Sequence, residues 1–197
     1  MSSVRRQLTE KSWVDFFPDV IECSKAQFDE FWDQHPTVRH EIMIMGRLTP
    51  IPRWQALYCA GSYKFSGTSM AWNPEIPDFV ERCFESARNL YPDFEWNGAL
   101  VNWYPDGASY IGAHSDDERD LVPGAPILSF SFGGLRTFRV KKKKEAGPGE
   151  IGAIDFPTEH RSLLAMCGAM QKEYKHEITK TAKAVAPRIN VTIRCFA

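Results

Sequence analysis

The chain has 197 residues, a formal net charge of −1 and a hydrophobic content of 43%. This length fits one domain with a sizeable core, and the near-zero charge excludes nucleic-acid binding through a global positive field, so any such binding must use local patches. Because no stretch is long and apolar enough to span a bilayer, and the first ten residues lack the apolar segment of a secretion signal, we expect an intracellular protein with no membrane partner.

Two helices are predicted in the first half of the chain. In "SKAQFDEFWDQ", Ser24 is a candidate N-cap with Gln27 three residues later, which is the pattern of a capping box. The second helix, "PDFVERCFESARNLY", begins at Pro77 and carries an apolar stripe at helical spacing, which predicts packing against a core. Between them, "HEIMIMGRLTPIPRWQALYC" predicts two short strands around the turn "GRLTPIP".

From Trp96 onwards the pattern changes to short strands separated by Gly, Pro and charged turns. Such spacing, without an intervening helical period, indicates an antiparallel sandwich or jelly roll. We therefore predict a mainly β protein with flanking helices (α+β). The segments "KKKKEAGPGE" and "TKTAKAVAP" are predicted to be surface loops. The predicted strands are "ALVNWY", "ILSFSFGG", "RTFRV", "IGAIDF", "SLLAMC", "YKHEIT" and "RINVTIRCF".

The last of these strands has an unusual polar face. Because alternate residues of a strand share a face, one side carries Arg188, Asn190, Thr192 and Arg194. On a surface strand this pattern would be unremarkable. If the face points into a barrel, the guanidinium groups need anionic partners, and a small dicarboxylate would supply them. Asn102 and Tyr104 share a face of "LVNWYP" in the same way and could donate hydrogen bonds to the same anion.

A candidate metal site begins in "IGAHSDDERD". His114 and Asp116 project to the same side of an extended segment. The third ligand should be a histidine on another strand; His160 is one candidate, and His176 is the better one because it lies mid-strand, shortly before the arginine strand. Two histidines and one carboxylate leave three coordination positions open, which suits non-haem Fe(II) and oxygen chemistry.

This combination resembles the AlkB family of Fe(II)- and 2-oxoglutarate-dependent dioxygenases, most closely its duplex-DNA-repair branch. The resemblance runs from about Pro52 to Phe196 and includes "PRWQALY", "YKFSG", "VNWYPDG", "IGAHSDDERDL", "PILSFSFGGLRTFRV" and "APRINVTIR". It implies a double-stranded β-helix (jelly roll) core with iron held by His114, Asp116 and His176. It also implies that Arg188 binds the distal carboxylate of 2-oxoglutarate and that Arg194 lies near the keto-acid end. The implied 2-oxoglutarate residues are Asn102, Tyr104, Arg188, Asn190, Thr192 and Arg194.

The resemblance also implies residues around a flipped-out base. "YKFS" would form a lid with aromatic rings that stack on the base, and the acidic pair after Asp116 would face it. Adenine methylated at N1 and cytosine methylated at N3 are cationic, and carboxylates and aromatic faces both favour a cation. Met45, at the tip of the "EIMIMGRL" hairpin, would be an apolar wedge in duplex DNA. The implied substrate residues are Met45, Gly46, Arg47, Arg53, Tyr63, Lys64, Phe65, Ser66, Asp117 and Glu118.

Plainer interpretations stay open for several of these residues. Asp117 and Glu118 could merely solvate a loop. Tyr63 and Phe65 could be core residues, and so could Met45 in its strand.

The basic residues also allow two interpretations. The family branch carries a basic cluster before "APR", where this chain has only Lys180 and Lys183. The run 141–144, with Arg136 and Arg139 before it, either takes DNA phosphates instead or is a solvated face.

The implied organisation is one domain over residues 1–197, with 1–95 an N-terminal extension and nucleotide-recognition lid and 96–197 the catalytic core. The implied reaction uses Fe(II), 2-oxoglutarate and O2 to demethylate 1-methyladenine and 3-methylcytosine in DNA, releasing formaldehyde and succinate. The implied protein is a monomer, nuclear in a eukaryote, that acts on duplex and single-stranded DNA, with RNA as a further candidate. The alternatives are a dioxygenase acting on methylated RNA and a nucleic-acid-binding module with an inactive metal site.

Overall fold

The computed structural model describes residues 3–59, 62–65, 68–71, 73–144 and 152–197. Three helices are assigned within these ranges, namely α1 (Lys25–Trp32), α2 (Asp78–Leu90) and α3 (Met170–Glu173). The strands are β1 (Val4–Gln7), β2 (Ser12–Phe17), β3 (Glu41–Ile44), β4 (Arg47–Pro50), β5 (Trp54–Tyr58), β6 (Ser62–Phe65), β7 (Thr68–Ala71), β8 (Gly98–Tyr104), β9 (Ile111–His114), β10 (Ile127–Gly133), β11 (Arg136–Lys142), β12 (Ala153–Thr158), β13 (Ser162–Gly168), β14 (Tyr174–Ile178) and β15 (Arg188–Arg194).

Two antiparallel sheets form the body of the fold. The larger has seven strands in the order β1-β2-β13-β10-β15-β8-β5, and the smaller has four in the order β12-β11-β14-β9. From β8 to β15 the chain passes repeatedly from one sheet to the other, so that sequence neighbours are seldom neighbours in a sheet. This path is that of a jelly roll. The predicted mainly β fold with flanking helices is confirmed.

The seven-stranded sheet also includes strands from the first 95 residues. β2 pairs along its length with β13, and β5 pairs with β8. The proposed boundary between an extension and a catalytic core therefore does not separate the sheets. β1 and β2 were not predicted. They form a hairpin whose first strand is exposed throughout, and β2 joins the sheet by pairing with the distant strand β13. Arg5 in β1 forms a bidentate pair with the buried carboxylate of Asp15 in β2.

The two long helices cover the outer face of the larger sheet. α1 has the predicted capping box, in which Ser24 and Gln27 each accept a hydrogen bond from the other's backbone N–H. α2 follows Pro77 and buries its apolar stripe. The indole of Trp103 in β8 is fully buried and donates its Nε1–H to the carbonyl of Phe31 at 3.2 Å. Burial of such an aromatic side chain contributes about 1.5–3 kcal/mol to stability. Because side chains alternate along a strand, the opposite face of β8 and β15 is directed at the smaller sheet.

The hairpin after α1 differs from its prediction. β3 and β4 pair from Ile44 and Arg47 outwards, so the connecting turn is Met45–Gly46 rather than "GRLTPIP". Both turn residues have positive φ, 47° and 76°, as in the type I′ turns that match the twist of two paired strands. The glycine was the sequence signal for this turn. The methionine obscured it, because a side chain with a Cβ is unfavourable in that conformation.

One predicted loop is also corrected. β11 extends through Lys142, so the first two lysines of "KKKKEAGPGE" lie in a strand and not in a loop. Residues 145–150 of this segment lie outside the described ranges. The second predicted loop, 179–187, has no helix or strand. None of the described helices has the length and apolar character needed to traverse a bilayer.

Candidate active site

Three potential metal ligands converge between the sheets. His114 and His176 are direct partners across β9 and β14, and Asp116 follows two residues after the end of β9. The Nε2 atoms of His114 and His176 lie 3.7 Å and 3.6 Å from the two carboxylate oxygens of Asp116. The ligand atoms of the three residues all lie within 4.8 Å of one another. Strand pairing thus brings His114 and His176 together, and the segment that follows β9 places Asp116 beside them.

The hydrogen bond of the His114 imidazole favours Nε2 as its ligand atom. Its Nδ1 lies 2.8 Å from the carbonyl oxygen of Gly112, so this nitrogen carries the proton and Nε2 has a free lone pair. The ring of Phe138 stacks on His176 at 5.2 Å, and Nδ1 of His176 is buried with no hydrogen-bond partner among the described residues. Both rings are oriented towards Asp116.

The electrostatic environment of Asp116 and His176 favours the protonation states that bind a metal cation. Burial by itself would raise the pKa of Asp116, but Arg194, His176 and His114 outweigh that effect and hold the pKa well below its usual range. Burial, reinforced by His114, lowers the pKa of His176 to about 3. At neutral pH the site therefore has an ionised carboxylate and a neutral imidazole, both in the protonation states that metal binding requires.

A cage of polar side chains lies next to this cluster, on the inner faces of β15, β8 and β10. Arg188 is opposite Tyr104, and Asn190 is opposite both Asn102 and Ser131. The six side chains predicted to bind a dicarboxylate are all buried, which overturns the interpretation of β15 as a surface strand. Their relative exposures are between 1% and 7%, for Arg188, Tyr104, Asn102, Arg194, Asn190 and Thr192.

Arg188 is a buried cation in the cage with unpartnered hydrogen-bond donors among the described residues. Its guanidinium is 1% exposed and donates to Oγ of Ser131 at 2.9 Å, while Nε and Nη1 have no hydrogen-bond partner among the described residues. Its carbon Cζ lies 5.1 Å from the centre of the Tyr104 ring. Burial lowers the pKa of Arg188 to about 10. A buried cation without an acid is costly, so this geometry fits an anion that binds between the sheets.

Asn102 is oriented by two neighbours that sequence reasoning treated differently. Arg53 was assigned to substrate; in the structure it is buried and its Nε donates to Oδ1 of Asn102 at 2.8 Å. Gln55, which no pattern had singled out, donates to the same oxygen at 2.8 Å. Since Arg53 can only donate, Oδ1 must face it, and the amide nitrogen is the group that Asn102 can offer to a ligand.

Asn190 and Thr192 form hydrogen bonds within the cage. The amide nitrogen of Asn190 donates to Oγ of Ser129 and to the carbonyl of Phe130, at 2.9 Å and 2.7 Å, and its Oδ1 accepts from Thr192. These bonds engage the amide of Asn190 on both sides. The amide of Asn190 thus ties β15 to the neighbouring strand β10, and its contact with the cosubstrate stays a prediction. Ser129 and Ser131 were missed because serine in a strand has no distinctive signal.

Of the predicted substrate residues, Asp117 and Glu118 lie next to Asp116 in the loop that follows β9. Asp117 is exposed, whereas Glu118 is turned inwards, with Oε1 3.9 Å from Nε of Arg194. A cavity of about 470 Å³ opens beside this acidic pair. For the lid, the structure describes the β6 backbone of Tyr63, Lys64 and Phe65 but not their side chains, and Ser66 lies outside the described residues.

The hairpin tip is also outside the core. Met45 is 100% exposed, which excludes its interpretation as a core residue, and Arg47 beside it is exposed as well. Gly46 shares the turn. The hairpin therefore presents an apolar side chain and a cation to solvent.

His160 is excluded as a ligand by its bonding. Its Nδ1 accepts from the backbone N–H of Gly133 at 2.9 Å, and its Nε2 lies 3.0 Å from the carbonyl of Cys23. It is a structural residue that joins a strand end to the N-terminal segment. Arg161 next to it forms surface ion pairs with Asp19 and Glu22.

The proposed phosphate-binding run is mostly engaged with the protein itself. Arg136 is buried among backbone carbonyls, including that of Ser109 at 2.7 Å, so it was wrong to include it among candidate phosphate ligands. Arg139 pairs with Asp155, and Lys141 pairs with Glu177 at 2.6 Å.

Comparison of the sequence with known proteins identifies the family of this chain. The model of the 2OG-Fe(II) oxygenase superfamily matches residues 19–194. The DNA oxidative demethylase ALKBH2 of Homo sapiens is 33% identical over 201 residues, covering 93% of this chain and 76% of that protein. The alpha-ketoglutarate-dependent dioxygenase alkB homolog 3 of Mus musculus is 30% identical over 203 residues, covering 94% of this chain and 67% of that protein.

A solved structure, "The structure of OsALKBH1", has the same fold, with a TM-score of 0.63 at 14% identity, and the superposition covers 98% of this chain and 100% of that one. The site contains the two elements that the family name requires: a group able to hold Fe(II) and a cationic cage for a dicarboxylate. This chain belongs to the 2OG-Fe(II) oxygenase superfamily, as an AlkB-family dioxygenase.

Proposed function

We propose that this protein removes N-linked methyl groups from 1-methyladenine and 3-methylcytosine in DNA, releasing formaldehyde and succinate. The observation that carries the proposal is one shared cavity, lined by the His-Asp-His cluster and by the buried guanidinium of Arg188. The similarity to proteins named DNA oxidative demethylase supplies the substrate class.

Fe(II) would be held by His114, Asp116 and His176. The donor set fits, because two imidazoles and one ionised carboxylate are the ligands of non-haem Fe(II) oxygenases and leave positions for cosubstrate and O2. Bound there, iron supplies the oxidation of a C–H bond by O2, coupled to the decarboxylation of 2-oxoglutarate. The chain contributes an ionised carboxylate at Asp116 and a neutral imidazole at His176, and both side chains are buried.

2-Oxoglutarate would be recognised through its two carboxylates. Arg188 would bind the distal one, since its unpartnered Nε and Nη1 can form a bidentate pair with a carboxylate. The amide nitrogen of Asn102 and the hydroxyl of Tyr104 would donate from the neighbouring strand. Thr192 and Arg194 would stand at the end of the cage nearest Asp116.

A methylated base would enter from the side of the acidic loop. Asp117 and Glu118 place negative charge there, which favours a cationic methylated base over the neutral product and so assists product release. "YKFS" would cover the base, and the exposed Met45 would fill the space that the base leaves in a duplex.

The test is mass spectrometry of oligonucleotides that contain one methylated base, incubated with protein, Fe(II), ascorbate and 2-oxoglutarate. Matched single-stranded DNA, duplex DNA and RNA are compared, and omission of 2-oxoglutarate is the control. We expect loss of the methyl mass from DNA with release of succinate. Turnover confined to RNA would favour the RNA alternative. Binding of DNA without any succinate release would favour an inactive metal site.

A further inference from the structure

Asp116 has a second restraint besides its ion pair with Arg194. Its backbone N–H donates a hydrogen bond to Oε1 of Gln171 at 3.0 Å. Gln171 lies in α3, and no sequence pattern had singled it out, because a four-residue helix shows no periodicity. The hydrogen bond therefore connects the metal-binding loop to a separate element of the fold.

The position of Asp116 depends on such contacts more than that of the two histidines does. His114 and His176 lie in paired strands, so the β ladder fixes their backbones. Asp116 lies beyond the end of β9, in a segment without regular structure. Next to it, Oγ of Ser115 donates to the carbonyl of Tyr174, also beside α3, at 2.8 Å. The residues around α3 thus provide a docking surface for the loop that carries the carboxylate.

Gln171 is itself held in place from both sides. Its Nε2 lies 3.3 Å from Sδ of Met166, which leaves Oε1 directed at Asp116, and its carbonyl accepts from Nζ of Lys143 at 2.9 Å. Because the NH2 group of Gln171 faces Met166, the group that it presents to Asp116 is the carbonyl oxygen, which accepts the backbone N–H. The side chain is therefore preorganised as an acceptor.

The helix that carries Gln171 is anchored by the N-terminal hairpin. The carboxylate of Glu173 accepts from the hydroxyls of Thr9 and Ser12 at 2.6 Å and 2.7 Å. The backbone N–H of Ala169 donates to the carbonyl of Lys11 at 2.8 Å. Both ends of α3 are thus tied to the turn between β1 and β2, which makes the helix a fixed support.

We propose that Gln171 is a positioning residue for the metal centre: by accepting the N–H of Asp116 it fixes the loop in the conformation that presents the carboxylate to the metal together with the two histidines. It does not touch the metal. Loss of such an outer partner typically weakens metal affinity by about 10- to 100-fold.

The test compares Co(II) binding by the full-length metal-free protein and its variants, followed by absorption spectroscopy and calorimetry. Gln171→Met keeps a side chain of similar length without the acceptor, and we expect affinity at least about tenfold weaker. Gln171→Glu keeps an acceptor and is expected to restore the affinity. Lys172→Gln makes the same change of −1 in net charge at the exposed neighbouring residue, and it is expected to leave the affinity unchanged.

Wild-type affinity in Gln171→Met would overturn the proposal, and so would equal weakening in the Met and Glu variants. Equal strengthening by Gln171→Glu and Lys172→Gln, with no loss in Gln171→Met, would assign the effect to charge alone. Thermal unfolding of the metal-free proteins identifies any variant that fails to fold. In that event Gln171→Ser, which lacks an acceptor at this reach, replaces Gln171→Met in the same comparison.

Discussion

Nη2 of Arg194 donates a hydrogen bond to Oδ1 of Asp116 at 2.8 Å, and both side chains are almost completely buried. This ion pair joins the metal-binding cluster to β15, the strand that also carries Arg188. Removing one partner of a buried pair typically costs about 3–5 kcal/mol, because the other charge remains uncompensated. The pair connects the metal-binding cluster to the strand that forms part of the dicarboxylate cage. We therefore expect a substitution in one of these two sites to alter ligand binding at the other.

His114→Ala and Asp116→Ala are each expected to abolish turnover, because each removes one of only three protein ligands. Formaldehyde release from methylated oligonucleotides is the measurement, with Co(II) affinity as a second readout. Asp120→Ala removes an exposed carboxylate from the same loop and should retain activity. Normal formaldehyde release from either ligand variant would mean that iron is held elsewhere.

Arg188→Met is expected to separate function from stability. It should weaken 2-oxoglutarate binding by about 2–5 kcal/mol, since a charge-assisted pair is lost while the carboxylate stays buried. In the ligand-free protein it should raise the free energy of unfolding, because a buried guanidinium with unpartnered Nε and Nη1 is replaced by an apolar side chain. Calorimetry with 2-oxoglutarate and urea unfolding are the measurements. Unchanged affinity for 2-oxoglutarate would make Arg188 a structural residue.

The metal-free protein is expected to lose stability as the pH falls below about 6.5. Burial lowers the pKa of His176 to about 3 in the folded state, so between these two values the unfolded chain binds a proton that the folded chain does not. The free energy of unfolding therefore decreases with falling pH across this range. Urea midpoints measured between about pH 7.5 and about pH 5 should show a shallower slope for His176→Gln than for wild type. Identical slopes would contradict the neutral buried imidazole.

The sequence predicted the parts of the site that follow from strand alternation. The spacing of His114 and Asp116 and the polar face of β15 each depend only on the two-residue period of a strand. The roles of Gln55 and Gln171 could not be predicted in this way, because each depends on which distant element is packed against it. The same holds for Arg136: within a basic run it resembles a phosphate ligand, yet the fold surrounds it with carbonyl oxygens.

Asp117→Ala is expected to reduce activity selectively on cationic methylated bases. The carboxylate favours a positive charge on the base, whereas a neutral etheno adduct gains nothing from it. The measurement is the ratio of kcat/KM for 3-methylcytosine to that for an etheno adduct in the same oligonucleotide. Because Asp117 is exposed, the variant should fold normally. Equal losses on both substrates would mean that Asp117 only shapes the loop.

Met45→Ala is expected to lower repair of duplex DNA while leaving single-stranded substrate nearly unchanged. A flipped base leaves a gap in the duplex stack, and an apolar side chain inserted there offsets part of the unstacking cost of a few kcal/mol. A single strand has no partner stack to open. Met45 is fully exposed at the hairpin tip, beside the exposed cation of Arg47, as this role requires. Met45→Phe should raise the ratio of duplex to single-strand activity, since an aromatic ring stacks better on bases.

The turn itself provides a control for this prediction. Met45 has a φ of 47°, and Asn followed by Gly is the preferred pair for a two-residue turn of this kind. Met45→Asn should therefore keep or stabilise the hairpin while removing the apolar group. If the wedge interpretation is correct, Met45→Asn loses duplex activity as Met45→Ala does, with no decrease in melting temperature. Equal loss on single and double strands in both variants would show that the hairpin serves the active site in some other way, and that Met45 is not a wedge.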